Sequence, residues 1–327
     1  MTGKLPLRPR LAGEFWLIGA SPVLPEFPDA GMRETGANAR AQPECVDHHL
    51  YQGSDGAWHL WGCIRRTAVG RILYHWEGSR LDEGPWRATG EYYRADRAAG
   101  ESLEGLEGQE WIQSPFFVKA GGLYYMFYGG HGTGTNRHGR PVLYEDPGME
   151  CQICLMTSTD GRHWVRFRNA DGYSRVFAGP GEARDPCVVM IAGTWHMYCA
   201  GYHDDDRDKA GIYLRTSTDL LHWSDWRLVH AAHQIATGRW SHECPHVVER
   251  GGRFYLFRTE DYATARTHVF CSDNPRDFGV GAAADEKYLG ELPVAAPEII
   301  FDASGQEYIT SNHDLRLGTQ LCRLTWE

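Results

Sequence analysis

Ser241-His242-Glu243-Cys244-Pro245-His246-Val247-Val248, followed by Gly251-Gly252-Arg253-Phe254-Tyr255-Leu256-Phe257, is the stretch whose reading decides the fold. A carboxylate stands just before a proline at the head of an apolar run. A Gly-Gly pair then turns the chain, and an aromatic run follows. The pattern reads as two antiparallel strands with an acid, Glu243, at the mouth of the first.

The same grammar recurs along the chain. Cys45-Val46-Asp47-His48-His49-Leu50-Tyr51 leads through Ser54-Asp55-Gly56 to Trp58-His59-Leu60-Trp61. Ser114-Pro115-Phe116-Phe117-Val118 turns at Gly121-Gly122 into Leu123-Tyr124-Tyr125-Met126-Phe127-Tyr128. Arg184-Asp185-Pro186-Cys187-Val188-Val189 turns near Gly193, and Ala296-Pro297-Glu298-Ile299-Ile300 turns at Ser304-Gly305. Two units also share an ending, Ser158-Thr159-Asp160 with His163-Trp164 and Ser217-Thr218-Asp219 with His222-Trp223. The endings stand 59 residues apart and the opening prolines Pro115 and Pro186 stand 71 apart; a longer loop near Gly129–Gly148 accounts for the difference.

Five units of roughly 50–70 residues, each of about four short strands, predict an all-β, five-bladed β-propeller in a single domain. The propeller is assigned to residues 45–327. Residues 1–44 form an N-terminal segment whose strand at Phe15-Trp16-Leu17-Ile18 completes the last blade and closes the ring. A β-sandwich or jelly roll is the competing architecture, but neither has a reason to repeat a turn motif at blade spacing.

Composition narrows the partners. The 327 residues are 42% hydrophobic with 38 Gly, which suits many short strands and tight turns. The net charge of −10 and the lack of a basic stripe argue against nucleic acid. No apolar run approaches the roughly 18 residues of a membrane span. Met1 to Gly13 has no apolar core of a signal peptide, which points to the cytoplasm, though a trimmed secreted chain looks the same. Nine Cys, several inside predicted strands, read as reduced and buried.

In a propeller the first strand of each blade lines the central channel. Its entrance residues, Asp47, Ser114, Asp185, Glu243 and Glu298, are expected around one funnel. Converging carboxylates drive their pKa values apart, so that one stays ionised and another keeps a proton. Cleavage of a glycosidic bond needs that pairing, across an oxocarbenium-like transition state.

The residues also carry a family resemblance. Arg184-Asp185-Pro186 and Glu243-Cys244-Pro245 resemble the Arg-Asp-Pro and Glu-Cys-Pro motifs of glycoside hydrolase families 32 and 68. Glu243-x-Pro245-His246 with its Gly turn and Phe-Tyr-Leu-Phe is similar to family 43, and family 117 is a more distant likeness. The resemblance implies a glycosidase of furanosidase type, arabinofuranosidase/xylosidase- or fructosidase-like, acting on a small oligosaccharide or glycoside. It makes Asp47 the nucleophile (family 32 type) or general base (family 43 type). Glu243 becomes the general acid. Asp185 holds substrate hydroxyls and tunes its neighbours, and Arg184 pairs with Asp185 or binds sugar. The family pattern has Asp-Pro in blade one, whereas here Asp47 precedes His48-His49.

Further substrate contacts are expected from His48, Ser114, His246 and Glu298, and from Trp111 and Trp240 as sugar-stacking platforms. His242 is a reserve proton donor by analogy with family 117. No cofactor is required, but the family 43 likeness implies a divalent cation such as calcium at the channel centre, held by a His such as His313. Two alternatives stand beside the hydrolase. One is a glycoside phosphorylase with phosphate held by Arg184, Arg239, Arg258 or His246; the other is a non-catalytic sugar-binding propeller.

Overall fold

Gly251 and Gly252 adopt φ of 59° and 79° and join the strands Glu243–Arg250 and Arg253–Asp261 in a tight hairpin. Gly121 and Gly122 do the same in the second unit, at 57° and 83°. Two consecutive positive-φ positions match the right-handed twist of the flanking strands, and glycine adopts them without a Cβ clash. The computed structural model describes residues 5–27, 42–104, 109–143, 146, 148–204, 206, 209–238 and 240–327.

These hairpins build five sheets, the blades of a β-propeller. Blade one runs outward from Glu44–Gln52 through Trp58–Thr67 and Gly70–Gly78 to Arg87–Tyr93. Blade two contains Gln113–Ala120, Leu123–Asn136, Met149–Ser158 and Val165–Arg166, and blade three Arg184–Ile191, Thr194–Gly201, Gly211–Ser217 and Arg227–His230. Blade four contains Glu243–Arg250, Arg253–Asp261, Arg266–Ser272 and Tyr288–Leu292.

Blade five is assembled from both ends of the chain. Ile299–Phe301, Glu307–Ser311 and Gly318–Trp326 supply its inner strands. The N-terminal strands Pro9–Leu11 and Trp16–Ala20 both pair antiparallel with Gly318–Trp326. The ring closes there, as the strand at Phe15–Ile18 predicts, and a closed ring hides the edge that would otherwise template aggregation.

The apolar core lies between blades. One cluster joins blades two, three and four through Phe127, Met197 and Leu256; others join five to one (Ile18, Leu60, Leu321), one to two (Trp61, Met126) and four to five (Phe257, Ile309). Strands buried on both faces explain why their sequences read as unbroken apolar runs. All nine cysteines are buried. No helix among the described residues is long and apolar enough to cross a membrane.

The shared endings are one structure used twice. Asp160 Oδ1 accepts from the amides of Arg162 (2.8 Å) and His163 (2.9 Å), and Asp160 Oδ2 lies 2.7 Å from His163 Nδ1. Asp219 repeats this with Leu221 (2.9 Å), His222 (2.8 Å) and His222 Nδ1 (2.7 Å). Each aspartate replaces the ladder bonds that end at its turn.

Candidate active site

The inner strands of blades one to four all break register near their entrance. The shift falls between Cys45 and His48, Gln113 and Phe116, Arg184 and Cys187, and Glu243 and His246. Ser114, Asp185, Cys244 and Ala296, each followed by proline, have φ of 53°, 55°, 48° and 49°. Such bulges re-aim side chains next to functional sites. In blade one Asp47 lies within the same break, just before pairing resumes at His48, with no proline after it.

One residue from each blade, Asp47, Ser114, Asp185, Cys244 and Ala296, lines one cavity of about 10 Å³, the room a single water occupies. This corrects the expected ring. Cys244, not Glu243, is blade four's member. Glu243 stands one residue nearer the mouth, at the level of Arg184 and Gln113. Glu298, two residues beyond Ala296, lines the same cavity, as the sequence predicts.

Hydrogen bonds cross the ring from blade to blade. Ser114 Oγ lies 2.8 Å from Asp47 Oδ2 and 2.7 Å from Asp185 Oδ1. A hydroxyl has one hydrogen, so the bridge is complete only when one of the two carboxyls is protonated. The Cys244 amide donates to Asp185 Oδ2 at 3.0 Å. Asp47 Oδ1 accepts from the Tyr262 hydroxyl, and from Cys244 Sγ at 3.4 Å. Nearer the mouth, Arg184 donates to Glu243 (2.8 Å) and Glu182 (2.9 Å) and sits 3.4 Å from Asp185 Oδ2.

These contacts separate the acids. Burial pushes Asp47 up, but the Tyr262 hydroxyl, Arg71, Ser114 and Cys244 outweigh it and hold the carboxyl below its ordinary value. Burial raises Asp185, and the nearby Asp47 adds to it against the pull of Arg184. The two bridged carboxyls are thus biased in opposite directions, Asp47 toward its anion and Asp185 toward its protonated form. Burial raises Glu243 to about 7, with Asp185 and Asp47 reinforcing it and Arg184 opposing it. An anion at Asp47 and a proton at Glu243 coexist near neutral pH.

The other residues singled out from sequence divide. Trp240 is exposed (46%) and carries the Arg184 guanidinium 5.3 Å above its ring, beside Glu243's partner. His48 lines the small cavity, deeply buried, and neither ring nitrogen has a hydrogen-bond partner among the described residues. Burial pulls it down to about 3, so it is neutral. Trp111 is not open to a sugar: it is buried, with the Arg71 guanidinium 4.7 Å over its ring and His131 against its edge.

His242 turns toward the end of blade three, where its ring lies against His230 and its Nε2 accepts the Ala232 amide at 3.1 Å. Burial and then Arg258 push its pKa well down, which removes it as a reserve acid. His246 is a channel plug, not a mouth residue. Its Nδ1 is 2.6 Å from Glu298, and its Nε2 accepts the Ile299 amide at 3.1 Å. His49, Phe116 and Cys187 complete that level: His49 stacks on Phe116 with centroids 4.0 Å apart, and Cys187 Sγ accepts the Val247 amide at 3.3 Å. The funnel is therefore blind. A separate, largely apolar cavity of about 440 Å³ opens beyond the plug, away from the carboxylates.

His313 does not fit the cation it was assigned. It follows the second strand of blade five, with Nδ1 2.7 Å from Ser311 Oγ and Nε2 3.3 Å from Gln320 Nε2. Asp47, Asp185 and Cys244 offer donor atoms within 4.8 Å of one another, but Ser114 and Tyr262 already bond there. The cations assigned to phosphate are also otherwise placed. Arg184 is bound to three carboxylates, and Arg258 is buried in blade four against His230 and the Ile235 carbonyl. Arg239 lies outside the described residues.

Sequence grammar misses Arg71, Gln113, Glu182 and Tyr262. Gln113 and Glu182 sit next to or near motif residues and were open to notice. Arg71 comes from a third strand and Tyr262 from a turn after a second strand, where no inner-strand motif points.

Residues 117–281 match the family model described as the glycosyl hydrolases family 32 N-terminal domain. No curated protein matches the chain. Among solved structures, a thermostable family-43 glycoside hydrolase is 16% identical, with 87% of this chain and 90% of that one covered and a TM-score of 0.58. An α-L-arabinofuranosidase of Lactobacillus brevis is 11% identical over 87% and 92%, with a TM-score of 0.59. A family-43 β-xylosidase/α-arabinofuranosidase from a compost microbial metagenome, with xylotriose, is 15% identical over 86% and 91%, with a TM-score of 0.55. At these identities the likeness is one of fold.

Proposed function

The chain belongs to the family of glycosyl hydrolases family 32 N-terminal domains, and on that premise we propose that it removes a terminal sugar from a short oligosaccharide or glycoside of furanoside type. It is a glycoside hydrolase. In this reading Glu243 donates a proton to the departing oxygen, and Asp47 acts on the sugar carbon as nucleophile or through a water as base. Asp185 holds sugar hydroxyls beside them.

One observation carries the proposal: above a blind floor the two acids meet opposite surroundings, Asp47 gripped by three donors that hold it below its ordinary value and Glu243 raised by burial to about 7. General acid catalysis needs a donor whose pKa is near the working pH. A floor closed by His49, Phe116, His246 and Glu298 favours binding one chain end over threading a polymer. The furanoside preference draws on the arabinofuranosidase likenesses. Trp240 beside Arg184 supports a stacking role at the mouth.

The test is a screen of aryl and natural furanosides and pyranosides, with and without phosphate, reading the first product's anomer by NMR. The expected result is phosphate-independent release of monosaccharide from a furanoside. A retained anomer makes Asp47 the nucleophile and an inverted one makes it the base. Turnover that requires phosphate replaces hydrolysis with phosphorolysis. Cleavage confined to pyranosides overturns the furanoside assignment.

A further inference from the structure

Tyr262 belongs to none of the repeating motifs. It lies in the turn between Arg253–Asp261 and Arg266–Ser272, the second and third strands of blade four. Its hydroxyl donates to Asp47 Oδ1 across the mouth and stands 2.9 Å from Cys244 Sγ, which is itself 3.4 Å from the same carboxylate oxygen. Ser114 takes the other oxygen at 2.8 Å. Asp47 is thus gripped on both oxygens, and Tyr262 and Cys244 share one of them.

The surroundings make this grip consequential. Asp47 is 9% exposed and shares Ser114 with a second carboxyl, so little water is available to solvate its charge. A buried carboxylate stays ionised only if donors replace that water. Burial, and then Asp47 itself, raise the Tyr262 phenol well above its ordinary value, so it keeps the hydrogen that it donates to Asp47.

We propose that Tyr262 is the positioning residue of Asp47: its hydroxyl orients the carboxylate and keeps it anionic, so that blade four supplies both the proton donor Glu243 and the clamp on its partner. The proposal rests on the reading of Asp47 as the reacting carboxylate.

The decisive variant is Tyr262→Phe, which keeps the ring and removes the donor. Its pH profiles of kcat and kcat/KM are compared with wild type on an activated aryl glycoside, with melting temperature recorded alongside. The acid limb is expected to rise by about one pH unit, as the loss of a hydrogen bond to a charged group predicts. We expect kcat to fall about ten-fold or more, with KM little changed. Tyr213→Phe, which removes a hydroxyl paired with His203 outside the site, leaves the acid limb in place. Should Tyr262→Phe fail to fold, 3-fluorotyrosine at position 262 keeps the contact with a stronger donor, and the acid limb moves down.

A folded Tyr262→Phe enzyme with the wild-type acid limb, or a fluorotyrosine enzyme with an unmoved one, overturns the proposal. Asp47→Asn separates the two levels. If it keeps wild-type turnover, the assignment of Asp47 has failed and the clamp with it. If it is inactive while the tyrosine variants leave the limb unmoved, only the clamp has failed.

Discussion

Glu243 and Asp47 carry carboxyls of similar intrinsic acidity, and their surroundings set them apart. Glu243 meets one guanidinium already shared with Glu182 and Asp185, so burial and like charge dominate. Asp47 meets three hydrogen-bond donors. The activity profile should therefore be a bell. Its alkaline limb lies near pH 7, because Glu243 must be protonated and loses its proton as pH rises through about 7. Glu243→Gln should abolish that limb and lower kcat about 10²- to 10⁴-fold on substrates with poor leaving groups. Aryl glycosides with acidic phenols need less protonation and should lose far less. Equal loss on both substrates would remove Glu243 from the donor role.

At the scale of elements, a proline-marked bulge recurs at the entrance of the inner strands, and a Ser-x-Asp turn closes two third strands. The bulge re-aims the residue before each proline into the channel, which is how Ser114, Asp185 and Cys244 come to face one point. The turns serve stability. Asp160→Ala and Asp219→Ala each leave two amides and a histidine without their acceptor. Each should cost about 1 kcal/mol in a urea titration. They stand in different blades, so the double variant should show the sum to within about 0.5 kcal/mol. Their histidine and amide partners hold both aspartates below the ordinary carboxylate range. The stabilisation is therefore complete above the unfolded value of about 3.9 and fades as pH falls below it.

For the whole molecule, closure through the N-terminus is the weak seam. Pro9–Leu11 and Trp16–Ala20 cover the outer edge of Gly318–Trp326, and Arg8 exchanges backbone bonds of 2.7 and 3.0 Å with Glu327. Trp16 also donates its indole hydrogen to the Leu81 carbonyl at 2.9 Å, tying blade five to blade one. Deleting residues 1–21 should lower the melting temperature by more than 10 °C and promote aggregation, since it exposes both a strand edge and the Ile18 side of a core cluster. Thermal unfolding with light scattering measures both effects. An unchanged melting curve would show that blade five is complete without the N-terminal strands.

Local signals determined much of this protein. Gly-Gly pairs, X-Pro steps and the repeated Asp turns act within a few residues of themselves, so the blades, their number and the positions of Asp47, Asp185 and Glu243 at strand mouths are legible in the chain. The side from which each carboxylate is solvated is not local. Cys244 rather than Glu243 joins the ring because the bulge, not the motif, sets which side chain turns inward. Tyr262 meets Asp47 across 215 residues of sequence, and Arg71 acts on it from a third strand. Trp111, His242 and His246 looked like ligand contacts because they flank inner strands, yet burial made them packing and plug. A strand written in sequence can face either way. Only the closing of the ring chose the neighbours that fix each acid's charge, because burial and hydrogen-bond donors belong to the assembled mouth and to no single blade.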